Sequence, residues 1–149
     1  VVIIIIGILS AIALPSFLNQ AAKAKQSEAK TYVGSTNRAQ QAYRIENTAF
    51  AANLDNLQLG IPSTTEYYAY TMGGGQNTAT ILATAIDATA LKGFSGGVVI
   101  ITTGATTAVA CQTQGVQSQK AVGVPTLTTS ATALTTAAAS CIGTMEIMK

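Results

Sequence analysis

Val1-Val2-Ile3-Ile4-Ile5-Ile6-Gly7-Ile8-Leu9-Ser10-Ala11-Ile12-Ala13-Leu14-Pro15-Ser16-Phe17 opens a chain of 149 residues, and up to Leu14 it carries no charge and a single polar side chain, Ser10. As a helix rising 1.5 Å per residue, Val1 to Leu14 reaches about 21 Å, short of the roughly 30 Å hydrocarbon core of a bilayer. Three readings meet this composition. A cleaved signal peptide would use Ala11-Ile12-Ala13 as its small-residue site, but Lys23, Lys25 and Lys30 follow the apolar run where such a peptide places its charges in front. A buried core helix would need cover on every face, and a chain of this size has little core to supply it. A membrane-anchored helix that continues past Pro15 into water is the third reading, and the residues downstream favour it.

Phe17 to Glu46 contains no Pro and is rich in Ala, Gln, Lys and Glu, all good helix formers. Leu18, Ala22, Ala29 and Val33 recur at spacings of 4, 7 and 4, and Tyr32, Ala39, Tyr43 and Phe50 at 7, 4 and 7. Both sets draw an apolar stripe along one helix face. Lys23, Lys25, Gln26, Lys30, Arg38 and Gln41 fall on the other faces, and Glu28 is placed to pair with Lys25. The expectation is one long helix, apolar all round at its start and amphipathic afterwards, with its second half packed on a head through Tyr32, Val33, Ala39, Tyr43 and Phe50. Gly7 and Pro15 interrupt it at a helix-interior cost of about 1 and 3 kcal/mol. Either the helix tolerates both, with a kink near Pro15, or Gly7 to Pro15 is a weak segment that melts on assembly.

Charge is scarce, at 9% of residues and a net +2, so composition alone points to no nucleic-acid partner. The chain has no His, which removes the usual general base and the commonest metal ligand. Glu28, Glu46, Asp55, Glu66, Asp87 and Glu146 are scattered singly, without the paired-carboxylate or D-x-D spacing of a glycosidase or calcium loop. An enzyme is therefore the least supported class, and no cofactor or metal is expected. Cys111 and Cys141 lack C-x-x-C spacing. In an exported protein they read as one disulfide; in a reducing compartment they would be two buried thiols.

The run from Gly7 to Phe17, followed by the Lys/Gln/Glu/Ala-rich helix, resembles type IV pilins and the pseudopilins of type II secretion. Asn19-Gln20-Ala21-Ala22-Lys23-Ala24-Lys25-Gln26-Ser27-Glu28-Ala29-Lys30-Thr31-Tyr32 and Asn37-Arg38-Ala39-Gln40-Gln41-Ala42-Tyr43 resemble major pilins of cyanobacteria. The resemblance covers Val1 to Gly60 and is weak beyond. It implies an α+β pilin fold, a long N-terminal helix against a C-terminal antiparallel β-sheet. It also implies Val1, Val2, Ile3, Ile4, Ile5, Ile6, Ile8, Leu9, Ile12, Leu14 and Phe17 as the residues of the membrane anchor and, later, the filament core. In the family the segment matching Gly7 to Pro15 is often unwound inside filaments, which favours the melting reading for an assembled subunit. The family's processed, N-methylated Phe and its nearby Glu have no counterpart here, so the resemblance implies a mature chain beginning about seven residues upstream of Val1.

The chain divides accordingly into an apolar helix, 1–22, and a head, 23–149. Within the head, 23–47 is the amphipathic half of the helix and 48–66 a connecting loop. Residues 67–110 form the sheet, and 111–141 the region bounded by the two cysteines. Leu54, Leu57 and Leu59 suggest a short helical turn ending at Gly60. Tyr67 to Met72 and Thr78 to Ile86 predict a hairpin around Gly73-Gly74-Gly75-Gln76-Asn77; these glycines lack the Lys and Ser/Thr of a phosphate loop. Gly93 to Gly97 predicts a break before a buried strand from Val98 to Thr103, with another strand from Thr106 to Gln112. Pro125 to Ser140 is uncharged and dense in Thr, open to strand, loop or surface helix. Its hydroxyls are either candidate O-linked glycan sites or plainly solvated.

The functional expectation is a structural subunit that polymerises with copies of itself into an extracellular type IV pilus. Its further partners would be the inner membrane before assembly and the pilus assembly machinery, and its roles motility, adhesion or DNA uptake. The alternatives are a major pseudopilin of a type II secretion system and, from a different class, a secreted soluble binding module.

Overall fold

The computed structural model describes residues 1–129 and 138–149. Helix α1, Val2–Glu46, is 45 residues long, about 68 Å at 1.5 Å per residue. It ends where Asn47 turns extended and both its backbone N–H and its side-chain amide donate to the Tyr43 carbonyl, at 3.0 and 2.9 Å. Arg44, in the last turn, donates to the Asn47 carbonyl, a cation where the helix dipole is negative. A 3₁₀ turn, Asp55–Leu57, follows in the loop that leads to the sheet.

Five antiparallel strands make that sheet in the order β1-β2-β3-β4-β7. They are β1 Tyr68–Gly74, β2 Thr78–Ala85, β3 Phe94–Ile100, β4 Thr106–Thr113 and β7 Met145–Ile147. A small second sheet pairs β5 Thr126–Leu127 with β6 Ala139–Ser140. The chain is thus α+β, one long helix packed on an antiparallel sheet. The hairpin forms around Gly75-Gln76-Asn77 as its turn residues predict. Of the Thr-rich stretch, residues 130–137 lie outside the described residues, and with them half of the candidate glycan hydroxyls.

Strand β3 departs from expectation. It starts at Phe94 and runs through Ser95-Gly96-Gly97, and Thr102 and Thr103 fall in the turn before β4. The glycines sit inside the strand because β3 is covered on both faces. A Cβ on Gly96 would lie 2.7 Å from Asn37 Oδ1 and 2.8 Å from Val33 Cγ1 of the helix, and one on Gly97 3.0 Å from Leu127 of β5. Successive residues of a strand point to opposite faces, so the pair thins the sheet once for each covering layer. Ala29, Val33, Tyr68, Tyr70, Ile81, Ala83 and Phe94 form the core on the helix side. Val99, Ile101, Ala138 and Ala139 form a second cluster beneath the small sheet.

The buried face of α1 is more polar than its stripe suggests: Ala29, Val33, Thr36, Asn37 and Gln40. Val33 is buried, and Tyr32 is half-buried with its ring 5.4 Å from that of Tyr70. Ala39 and Tyr43 are half-buried beside the 3₁₀ turn, and Phe50 is buried against Ala79 and Val98. The Thr36 hydroxyl is buried without a hydrogen-bond partner among the described residues. Desolvating such a group costs about 1–3 kcal/mol, part of which the isosteric methyl recovers. Thr36→Val is therefore expected to stabilise the head by about 1 kcal/mol and raise Tm by about 3 °C in a thermal melt. An unchanged or lower Tm would show the hydroxyl to be satisfied.

Candidate functional site

Residues 1–20 are all exposed, the large apolar side chains among them from 52% at Ile5 to 94% at Val1. Among the described residues the head comes near them only at the end of this stretch, where Leu18 shares a cleft with Tyr67, Ile86 and Leu91, and the helix meets the core around Ala22, which packs at its margin. Twelve large apolar side chains, the eleven expected ones together with Leu18, therefore stand out as one continuous surface. Among the described residues this is the one helix long and apolar enough to cross a membrane. The helix is continuous through Gly7 and Pro15 in the single chain. A Cβ added at Gly7 would meet nothing within 4 Å.

The second half of the helix is held to the head by a polar seating. Gln40 acts as a two-point clip: its amide N–H donates to the Ala51 carbonyl and its amide oxygen accepts from the Ala51 N–H, both at 2.9 Å and both buried. The neighbouring Gly74 is bare of a side chain where a Cβ would run into the Ala51 carbonyl, and Phe50 N–H donates to Gly75 O at 2.9 Å. Asn37 donates to the Val109 carbonyl at 2.9 Å across the Gly96 gap. Together these bonds tie the helix to the loop at Ala51 and to strand β4.

Glu28 does not pair with Lys25. Its Oε1 instead accepts hydrogen bonds from the Tyr70 hydroxyl at 3.0 Å and from the Thr65 hydroxyl. Burial, reinforced by the bond to Glu28, holds the Tyr70 phenol far above its ordinary range, so it serves as a neutral donor. Tyr68, raised by burial first and Glu28 second, donates to the Lys92 carbonyl at 2.9 Å. Lys25 lies over the Tyr67 ring, 4.8 Å from its centroid, on the helix face towards Asp87. The sequence reading missed Glu28, Asn37 and Gln40 as seating residues. The available signal was that the apolar stripe thins after Val33 while the same helix face continues with Thr36, Asn37 and Gln40.

A disulfide joins Cys111, fully buried in β4, to Cys141, just beyond β6. It closes a loop of 30 residues, which corresponds to about 3–4 kcal/mol in the chain-entropy treatment. The small sheet that covers the outer face of β3 is thereby held to the main one. Among the described residues no three His, Cys, Asp or Glu side chains come together as a metal site.

An exposed apolar helix, its seated continuation and a disulfide-held antiparallel head are the setting for the comparison with known families. The family model described as type IV pilin-like G and H matches residues 26–141. The chain belongs to this type IV pilin-like family. Neither the curated proteins nor the solved structures compared with it gave a match. The family match begins within the amphipathic half of α1 and ends at Cys141, so it takes in the head, its helix seat and both cysteines. The apolar stalk lies N-terminal to the matched residues, and its character rests on its own sequence and exposure. Together, the pilin-like head and the apolar N-terminal helix fit a pilin subunit.

Proposed function

We propose that this pilin-like chain is the structural subunit of an extracellular type IV pilus, held in the inner membrane by its stalk before assembly and packed into the filament core by the same stalk afterwards. The observation that carries the reading is the exposed stalk. Hiding an apolar side chain of this size from water contributes roughly 1.5–3 kcal/mol. Twelve of them left in water would therefore cost more than the roughly 5–15 kcal/mol that stabilises a whole domain. Lipid and a bundle of neighbouring stalks both remove that cost, and they do so almost equally per residue. Exchange between the two is then close to balanced, and assembly machinery sets its direction. Gly7 and Pro15 mark the span where the helix gives as stalks of successive subunits pack.

Antibodies raised against the head are expected to decorate surface filaments of the native cells in electron microscopy, with this chain recovered from sheared filaments by mass spectrometry. Undecorated filaments, with the chain confined to the membrane fraction, would overturn the proposal.

A further inference from the structure

Four lysines gather at the stalk end of the head, and three of them share a face. Lys23, Gln26, Ser27 and Lys30 from α1 line an open cleft of about 440 Å³ with Lys92 and Gln112 of the head. Lys92 lies 3.9 Å from Glu146, whose carboxyl is held below its usual range by the Gln112 hydrogen bond first and the nearby lysines second. Lys30 donates at 2.9 Å to the main-chain oxygen of Lys149, the last residue of the sequence, a contact that a headgroup would have to share or displace. Among the described residues no Asp or Glu side chain lies within ion-pair distance of Lys23 or Lys30. Lys25, by contrast, is taken up on the opposite side of the helix by Tyr67.

These charges stand against an insertion bias. Lysines within 12 residues of an apolar segment, as Lys23 and Lys30 are of Leu18, favour keeping that end in the cytoplasm. A disulfide in the head belongs to an oxidising compartment on the other side. Their position supplies another use. Lys23 and Lys30 lie about 8 and 18 Å along the helix beyond Leu18. With their flexible stems they reach the headgroup layer or come within a Debye length, roughly 8–10 Å, of its surface.

We propose that this lysine cleft binds the headgroups of anionic phospholipid while the stalk is in the membrane, setting the head down on the bilayer surface on one chosen side. The inference rests on the stalk being a membrane anchor. A lysine close to an anionic membrane strengthens binding by about fivefold, so Lys23 and Lys30 together amount to a bias on the order of twentyfold. Assembly would have to break this contact, which gives the leaflet's charge a say in how readily a subunit leaves it.

The test dilutes the full chain from detergent into a mixture of two vesicle populations separable by density, one of phosphatidylcholine and one with phosphatidylglycerol added. At low salt the wild type is expected in the anionic population by about twentyfold, evening out at high salt. Lys23→Gln/Lys30→Gln is expected to remain vesicle-bound but evenly distributed, and Lys23→Arg/Lys30→Arg to keep the bias. An even distribution of the wild type overturns the headgroup contact while leaving the anchor intact. A bias that survives in the double Gln variant also overturns it. Wild type bound to neither population overturns the anchor reading itself.

Discussion

Ile12→Lys is expected to abolish filaments without unfolding the head. Ile12 is 70% exposed on the stalk, well short of Ala22 where the helix meets the core. Its replacement removes nothing from the core, so the thermal transition of the head should stay within about 0.5 kcal/mol of wild type. The stalk tells a different story. A lysine near the centre of a membrane helix costs roughly 2.5–3.5 kcal/mol on insertion scales, and near an end it snorkels to the interface for less. Inside a bundle of packed stalks there is no interface to snorkel to, and an unpaired buried charge is costlier still. The exchange from lipid to filament is close to balanced for apolar residues, so this difference falls wholly on assembly. Ile5→Lys should act alike, and Ile12→Leu should leave piliation unchanged. Piliation is counted by electron microscopy and the head followed by circular dichroism. Normal piliation of Ile12→Lys would remove the stalk from the filament core. Joint loss of filaments and fold would show that the stalk packs on its own head.

Much of this arrangement is legible in the residues because the stalk's signal is unambiguous: no charge and one polar side chain from Val1 to Leu14 leave few places for a helix to go. The hairpin is legible for the same kind of reason, since Gly75-Gln76-Asn77 between two β-rich runs has one economical conformation. Legibility fails where two elements meet. Gly96 and Gly97 look like a break when read alone, because a strand interior normally has no use for them; only the helix on one side and Leu127 on the other explain them. Glu28 reads as a partner for Lys25 three residues away, yet Tyr70, 42 residues along the chain, has the better claim once β1 is laid across the helix. Strand β7 is three residues long and exists by pairing with the end of β4, so no local pattern announces it. The stalk shows the converse limit: its exposure is plain from the structure, but its meaning comes from what apolar surface costs in water.

The seat of the helix on the sheet gives the second large effect. Gly96→Val places a branched side chain where even a Cβ would stand 2.7 Å from Asn37 Oδ1 and 2.8 Å from Val33 Cγ1. Neither neighbour yields easily. Val33 is fully buried in a helix, where a β-branched side chain has essentially one rotamer, and Asn37 is tied to the Val109 carbonyl at 2.9 Å. Relief requires lifting α1 from β3 or breaking that bond, so overpacking of roughly 1–3 kcal/mol adds to an orphaned polar group worth about as much. The expected loss is about 3–5 kcal/mol, with Tm lowered by on the order of 10 °C. Gly97→Ala, whose Cβ meets the tip of the Leu127 side chain, should cost about 1 kcal/mol. Gly7→Ala, in open space on the stalk, should leave the head unchanged. Adding Val33→Ala to Gly96→Val should recover part of the loss, since it removes one of the two colliding groups, and that coupling is what a general strand-propensity effect would not produce. Equal melting of the Gly96 and Gly97 variants would mean that the helix does not sit over Gly96. Because the stalk extends directly from this seat, a filament defect in Gly96→Val with a stalk of unaltered sequence would show that the head must hold α1 in place for stalks to pack in register.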